Sequence, residues 1–238
     1  MMALCGFAAL SEGEEIVCAI EDGSYVIRIP DENGDLGWLA DDMAQDDSVV
    51  RLASAELEDG AFVVRYDPVN DGEVTVNVRH YIGVACDRMF SWDLLVKDGV
   101  VQESTGGAYT AAPDEAEQDA YISGEWLEDE TQFTQMTIEK NEARGWDVEV
   151  AAPLTHGAYI FKTTVCYDCE LDGFVYDKGK YWEVPITEEE NPELGEAAVY
   201  GTTGIFIFAG DEENLRLIWI DDQNPDRRIT FQKMTDEQ

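Results

Sequence analysis

The chain has 238 residues, of which 45% are hydrophobic and 11% aromatic, enough to build the packed cores of one large or two smaller domains. Its 52 acidic and 15 basic residues give a formal net charge of −37. That charge excludes non-specific binding to nucleic acid or to an anionic membrane surface, because both need a cationic protein surface.

The first ten residues are uncharged and either small or apolar, and glutamates follow at positions 12, 14 and 15. A run this short cannot span a bilayer, which takes ~20 apolar residues. An apolar stretch followed directly by acidic sequence resembles the end of a secretory signal, with cleavage after the small residue Ala8. A short buried strand is the alternative. We therefore predict that residues 1–12 are a signal remnant or disordered, and that the protein is extracytoplasmic through a bacterial-type export route.

Five cysteines are too few for a disulfide scaffold in a chain of this length. In an exported protein Cys18, Cys86, Cys166 and Cys169 can form two bridges in three different pairings, and the sequence leaves the pairing open. The Cys166-x-x-Cys169 spacing is half of a zinc site or a redox motif, but no second pair or neighbouring histidine accompanies it. We predict no metal site and no cofactor.

Residues 13–107 alternate apolar and polar side chains in short runs that are separated by turn signals such as Asp59-Gly60. Alternation with a period of two indicates half-buried β-strands. The predicted strands are Glu15–Ile20, Ser24–Ile29, Trp38–Ala40, Val49–Ser54, Ala61–Tyr66, Glu73–Arg79 and Phe90–Val96. Seven short strands in about ninety residues predict an immunoglobulin-like β-sandwich.

Two predicted loops of this domain resemble those of the chagasin-type inhibitors of papain-like cysteine proteases, which are immunoglobulin-like. That family has an Asn-Pro-Thr-Thr-Gly loop before an aromatic residue and an Arg-Pro-Trp loop after a long strand. Here Asn33 is followed four residues later by Gly37 and then by Trp38. The second loop has its counterpart in Arg79-His80-Tyr81, with tyrosine in place of tryptophan.

The resemblance implies that these six residues form a binding surface at one end of the domain, and that the partner is a papain-like cysteine protease. Gly34, Asp35 and Leu36 stand where the family has proline and two threonines, so the inhibitor would be a degenerate one. The residues also allow a simpler interpretation, in which Asn33-Gly34 is only a turn and Trp38 is a core residue of the third strand.

Residues 108–120 are predicted to be an acidic linker. The segment contains Ala111-Ala112-Pro113 and then four carboxylates within six residues. Few residues in it favour strands, and like charges extend a chain by repulsion.

Residues 121–235 are predicted to form an antiparallel β-barrel, whose closure leaves no exposed strand edge. The predicted strands are Gly124–Leu127, Thr134–Lys140, Trp146–Val150, Ala158–Tyr167, Gly173–Tyr176, Lys180–Val184, Thr203–Ala209, Leu215–Ile220 and Ile229–Lys233. The Gly-x-Trp opening at Trp126 and the late Arg227-Arg228 resemble lipocalin-like barrels, including those of uncharacterised secreted bacterial proteins. The resemblance implies that Trp126 closes the base of the barrel and that Arg228 stacks on it.

Large aromatic residues of this second domain, among them Trp146, Phe161 and Trp219, either line a ligand cavity or fill the core. No Gly-x-Ser-x-Gly, P-loop or His-Glu-x-x-His motif occurs in the chain, and we do not expect an enzyme. The leading hypothesis is an exported binding protein in which a degenerate chagasin-like inhibitor module precedes a lipocalin-like barrel. The alternatives are a carrier of small apolar ligands through the barrel, and a structural or interaction protein at the cell envelope. The sequence does not predict the oligomeric state.

Overall fold

The computed structural model describes residues 16–31, 37–42, 48–111, 113, 115–143, 145–185, 194–210 and 214–234. The chain divides into two compact units, Met1–Ala111 and Ala112–Gln238. The described residues are almost entirely β-strand, with one short helix, which confirms the all-β prediction. In this part of the chain no helix has the length and apolar character needed to cross a membrane. The predicted signal remnant, residues 1–12, lies outside the described residues and stays a prediction.

The described part of the first unit consists of two four-stranded antiparallel sheets around one hydrophobic core. Its strands are β1 (Val17–Glu21), β2 (Ser24–Pro30), β3 (Trp38–Ala40), β4 (Val50–Glu58), β5 (Ala61–Pro68), β6 (Gly72–Ile82), β7 (Ala85–Lys97) and β8 (Val100–Ala111). One sheet has the order β1-β2-β5-β4 and the other β3-β6-β7-β8. The core takes side chains from both sheets, for example Ile27 from β2 and Val76 from β6. The predicted alternation therefore places one face of each sheet inside.

Strand β8 is missing from the sequence prediction, which ended the first domain at residue 107 and began a linker at residue 108. The structure continues the sheet to Ala111, where Thr110 pairs with Met89 and Ala111 with Arg88. Gly106, Gly107 and Ala108 have low strand propensity, and they interrupt the signal from Val100, Val101, Tyr109 and Thr110. The backbone hydrogen bonds to β7 do not depend on side chains and hold the segment in the sheet.

The second unit is a closed eight-stranded antiparallel barrel preceded by a helix. Its elements are α1 (Glu115–Ile122), β9 (Gly124–Glu128), β10 (Gln135–Lys140), β11 (Trp146–Leu154), β12 (Gly157–Asp168), β13 (Gly173–Pro185), β14 (Val199–Ala209), β15 (Arg216–Asp221) and β16 (Arg228–Lys233). Each strand pairs with the next, and β16 pairs with β9 to close the ring, which confirms the barrel prediction. Two predicted strands are halves of β13, which is continuous through an irregularity between Tyr176 and Lys180.

Helix α1 occupies most of the remaining segment that was predicted to be an extended linker. It packs against the end of the barrel where β9 begins. Ile122 is fully buried in the barrel core, and the indole of Trp126 donates to the Ile122 carbonyl at 2.9 Å. The Lys233 ammonium donates to the carbonyls of Ala120 and Tyr121 at 3.1 and 2.9 Å. These contacts hold α1 against this end of the barrel, and they stabilise a helix that is too short to be stable alone.

Candidate functional site

At the end of the barrel opposite α1, the described residues enclose part of a cavity of about 520 Å³. We call this cavity, together with the residues that line it, the barrel mouth. Its lining residues come from the strand ends on this side and from the described parts of the connections that join β9 to β10, β13 to β14 and β15 to β16. A cavity of this size is in the range of sites that enclose small organic molecules.

Aromatic rings form one wall of the barrel mouth. Tyr159, Tyr181 and Trp219 line it, and the ring centroids of Tyr159 and Tyr181 are 5.1 Å apart. Phe161 is fully buried and contacts both Tyr181 and Trp219, with centroid distances of 4.7 Å to each. The interior is thus filled around Phe161 and open toward the mouth.

A hydrogen-bond chain fixes an aspartate at the wall of the cavity. The indole of Trp219 donates to the Tyr176 hydroxyl at 2.8 Å, and that hydroxyl donates to Asp221 Oδ2 at 2.6 Å. The backbone N–H of Gln223 donates to Asp221 Oδ1 at 2.9 Å, and the Tyr181 hydroxyl also hydrogen-bonds to Asp221. Asp221 is 8% exposed. Its position is therefore set by three donors rather than by solvent.

Burial raises the pKa of both tyrosine hydroxyls in this chain, and the hydrogen bonds to Asp221 raise it further. Tyr176 and Tyr181 therefore remain protonated at neutral pH and act as donors to the carboxylate. Burial also raises the pKa of Tyr159, although a hydrogen bond with Tyr181 offsets part of that effect.

The rim of the barrel mouth combines a carboxylate with exposed apolar side chains. Glu128 accepts hydrogen bonds from the hydroxyls of Thr131 and Thr134. Burial alone would raise the pKa of Glu128, but these hydrogen bonds outweigh it and lower the pKa, so the group is ionised at neutral pH. Phe133 is 72% exposed, and Leu154, another lining residue, is also exposed.

The sequence candidates of the barrel divide between core and mouth. Trp126, Trp146 and Phe161 are buried core residues, whereas Trp219 both belongs to the core and lines the cavity. The cavity and filled-core interpretations therefore each hold for a different part of the interior.

Arg228 does not take the position expected from the lipocalin-like resemblance. It is exposed, and the Lys233 ammonium lies 5.8 Å from the centroid of the Trp126 ring instead. Phe231 is buried in the barrel core, and strand residues an even number of positions away share its face, so Lys233 points inward and Arg228 outward.

Sequence reasoning missed Asp221, Tyr181 and Glu128 as residues of the mouth. One signal for Asp221 was present, because Leu217, Trp219 and Asp221 alternate along β15 on one face. A carboxylate that continues an apolar inward stripe indicates a buried polar group with partners.

The candidates of the first unit lie together near the end of β3 and β6. Trp38 pairs with His80, their ring centroids are 4.7 Å apart, and the Tyr81 N–H donates to the Gly37 carbonyl at 2.9 Å. A β-carbon on Gly37 would overlap the Tyr81 carbonyl oxygen, so close strand approach explains this glycine. Asn33 lies outside the described residues.

Most of these side chains are buried inside the first unit. Trp38 is 9% and His80 1% exposed, and Trp38 belongs to the hydrophobic core. Arg79 forms an ion pair with Asp41, and His80 Nδ1 lies 2.5 Å from Asp87 Oδ1. Gly37 and Tyr81 are only half-buried.

In the described residues, no three or more His, Cys, Asp or Glu side chains are grouped so that they could hold a metal ion. No protein-family model matches the chain, and no curated protein or solved structure matches it.

Proposed function

We propose that the second unit binds a small organic ligand in the barrel mouth. The observation that carries this proposal is the cavity of about 520 Å³, whose lining residues Tyr181 and Trp219 pack against the fully buried Phe161. Pockets that bind small molecules are mostly apolar, with a few fixed polar groups that orient the ligand. The wall of Tyr159, Tyr181 and Trp219 beside the fixed carboxylate of Asp221 has that character.

The proposal is tested with a neutral fluorescent probe, N-phenyl-1-naphthylamine, titrated into the full chain. Ala152 lines the mouth, whereas its neighbour Ala151 has the opposite orientation in β11. Ala152→Phe should fill the mouth and raise the Kd of the probe at least tenfold, about 1.4 kcal/mol. Ala151→Phe adds the same volume outside the barrel and should leave the Kd within twofold. Equal probe binding by both variants would reject the barrel mouth as the site.

We infer as a second candidate that the first unit is an immunoglobulin-like module that binds a papain-like cysteine protease. The strand order supports the fold: β1-β2-β5-β4 corresponds to the A-B-E-D sheet of immunoglobulin domains and β3-β6-β7 to the C-F-G sheet, with β8 added. Because Trp38 and His80 are buried, the binding surface in this proposal is reduced to the half-buried Gly37 and Tyr81 among the described residues, and the role of Asn33 stays a prediction.

Titration of the full chain into a papain-like protease tests this second candidate. Inhibition should occur and should weaken in Tyr81→Ala. It should not change in Val69→Ala, which alters an exposed residue at the opposite end of the strands. If no inhibition occurs at about 50 μM, any binding has a free energy weaker than about −6 kcal/mol. That result would reject the inhibitor hypothesis.

A further inference from the structure

The charged side chains that line the barrel mouth are predominantly acidic. Glu128, Glu183 and Asp221 line it, and Arg227 is the one cationic residue among the lining residues that the structure describes. The unit around the mouth is acidic too, because residues 112–238 contain 30 acidic and 9 basic residues, a net charge of −21. A negative potential in a cleft concentrates cations and repels anions.

Asp221 is the carboxylate best placed to bind a charged group. An ionised carboxylate offers about four acceptor positions. Three donors already use it, the hydroxyls of Tyr176 and Tyr181 and the N–H of Gln223, which leaves an acceptor position for a ligand at the cavity wall. Its low exposure means that a charge pair formed there is screened less than one on the surface.

Aromatic rings beside this carboxylate add a second attraction for the same kind of ligand. Trp219 and Tyr181 line the mouth, and each is linked to Asp221 by hydrogen bonds, Trp219 through the Tyr176 hydroxyl. The face of an aromatic ring attracts a cation, and it also packs against a flat apolar group. The carboxylate of Asp221 and the aromatic rings therefore both favour a ligand that carries a positive charge.

We propose that the ligand of the barrel mouth is an organic cation, namely a protonated amine attached to a flat apolar body, with the ammonium at Asp221 and the body against Tyr159, Tyr181 and Trp219. This inference rests on the ligand-binding function proposed above. The exposed apolar residues of the rim, Phe133 and Leu154, are compatible with a ligand whose body is apolar.

Three indole compounds of similar size and different charge test the inference by displacing N-phenyl-1-naphthylamine from the full chain. They are tryptamine, which is cationic, tryptophol, which is neutral, and indole-3-propionate, which is anionic. Tryptamine should bind at least tenfold more tightly than tryptophol, and indole-3-propionate should bind most weakly. If the probe is displaced by tryptophol or indole-3-propionate as well as by tryptamine, the cation inference is overturned and ligand binding stands. If the probe shows no binding that Ala152→Phe weakens, both proposals fail.

Two neighbouring variants separate the local carboxylate from the overall charge. Asp221→Asn should reduce the preference for tryptamine over tryptophol to less than twofold. Asp222→Asn removes the same charge from an exposed residue that accepts a hydrogen bond from Thr203 at 3.0 Å, and the tenfold preference should persist. Equal loss in both variants would attribute the preference to the overall charge and overturn the assignment to Asp221.

Asp221 also has a structural role, so the fold of its variant is checked by thermal melting and by the Kd of the neutral probe. Should Asp221→Asn fail to fold, Glu183→Gln replaces an exposed carboxylate of the same mouth. The preference for tryptamine should then fall two- to threefold. An unchanged preference in Glu183→Gln would count against an acidic mouth that selects cations.

Discussion

At the scale of single residues, the position of Asp221 depends on a missing side chain in the neighbouring strand. A β-carbon on Gly204 would overlap the Tyr176 hydroxyl and lie 2.6 Å from the Ile220 carbonyl oxygen. Gly204 thus makes room for the hydroxyl that donates to Asp221. The reason for this glycine is close approach inside the barrel.

Gly204→Ala should therefore destabilise the protein by about 1–3 kcal/mol, the range for overpacking a well-packed interior. Chemical denaturation of the full chain measures the free energy of unfolding. Gly195→Ala is the matched control, because no atom lies within 4 Å of a β-carbon there. Its effect should stay within about 0.5 kcal/mol. Similar losses in both variants would contradict the packing explanation.

The sequence alone could not predict that Tyr176 and Tyr181 lie at the same site. Both are buried in β13, although five positions separate them and simple alternation would place them on opposite faces. The irregularity between Tyr176 and Lys180 reverses the alternation. The sequence prediction ended one strand at Tyr176 and began another at Lys180, but the residue types did not show that a single strand continues through this point with its alternation shifted. In contrast, β15 is regular, and its alternation placed Trp219 correctly inside.

At the scale of elements, helix α1 shows how a short segment is specified by what it contacts. Its eight residues have no apolar stripe, and isolated helices of this length are unstable in water. Asp119 accepts hydrogen bonds from the hydroxyl of Ser123 and from the indole of Trp146, the latter at 2.8 Å. The bond from Ser123 is local, but the bond from Trp146 joins residues 27 positions apart and lies outside any local pattern. The strands of the barrel, by comparison, were predictable because each carries its own inward stripe.

A double-mutant cycle with Asp119→Ala and Trp146→Phe should give a coupling of about 1 kcal/mol at pH 7. Phenylalanine removes the indole donor and keeps a ring against Phe174, whose centroid is 5.2 Å from that of Trp146. The free energy of unfolding of the full chain is measured for the four proteins. Pairing Asp119→Ala with Trp182→Phe is the control, because the Trp182 indole donates to the Gly195 carbonyl instead. Equal coupling in both cycles would exclude a specific bond.

The same coupling should depend on pH in one direction. Hydrogen bonds from Ser123 and then from Trp146 lower the pKa of Asp119 below its ordinary value. A group whose pKa is lower in the folded state stabilises the fold above its unfolded pKa, about 4, and loses that contribution as the pH falls through the folded value. The coupling should therefore be constant from pH 7 to pH 5 and decrease below about pH 4.

At the scale of the whole molecule, the charge opposes the fold in both units. Residues 1–111 contain 22 acidic and 6 basic residues, a net charge of −16, beside −21 for the rest of the chain. With 52 carboxylates and 15 basic groups, most carboxylates cannot have a cationic partner of their own. Ion pairs such as Arg28 with Glu21 and Lys162 with Glu149 are partly exposed, and pairs of this kind contribute little to stability.

Salt should consequently stabilise this protein. Raising NaCl from about 0.01 M to about 1 M shortens the Debye length from about 30 Å to about 3 Å. Screening weakens both the repulsion among many carboxylates and the attraction within a few exposed ion pairs. The total repulsion energy is larger than the total attraction energy, so screening should stabilise the fold. We expect the Tm of the full chain, followed by circular dichroism, to rise by at least about 5 °C, which corresponds to roughly 1 kcal/mol in a unit of this size.

Choline chloride at the same ionic strength distinguishes screening from specific binding of sodium ions. Screening depends on ionic strength, so both salts should raise the Tm by the same amount at 0.1 M, where preferential exclusion of salt from the protein surface is still small. A rise with NaCl alone would instead indicate cation sites on the surface. A Tm that falls with both salts would mean that the attraction within the exposed ion pairs outweighs the repulsion among the carboxylates.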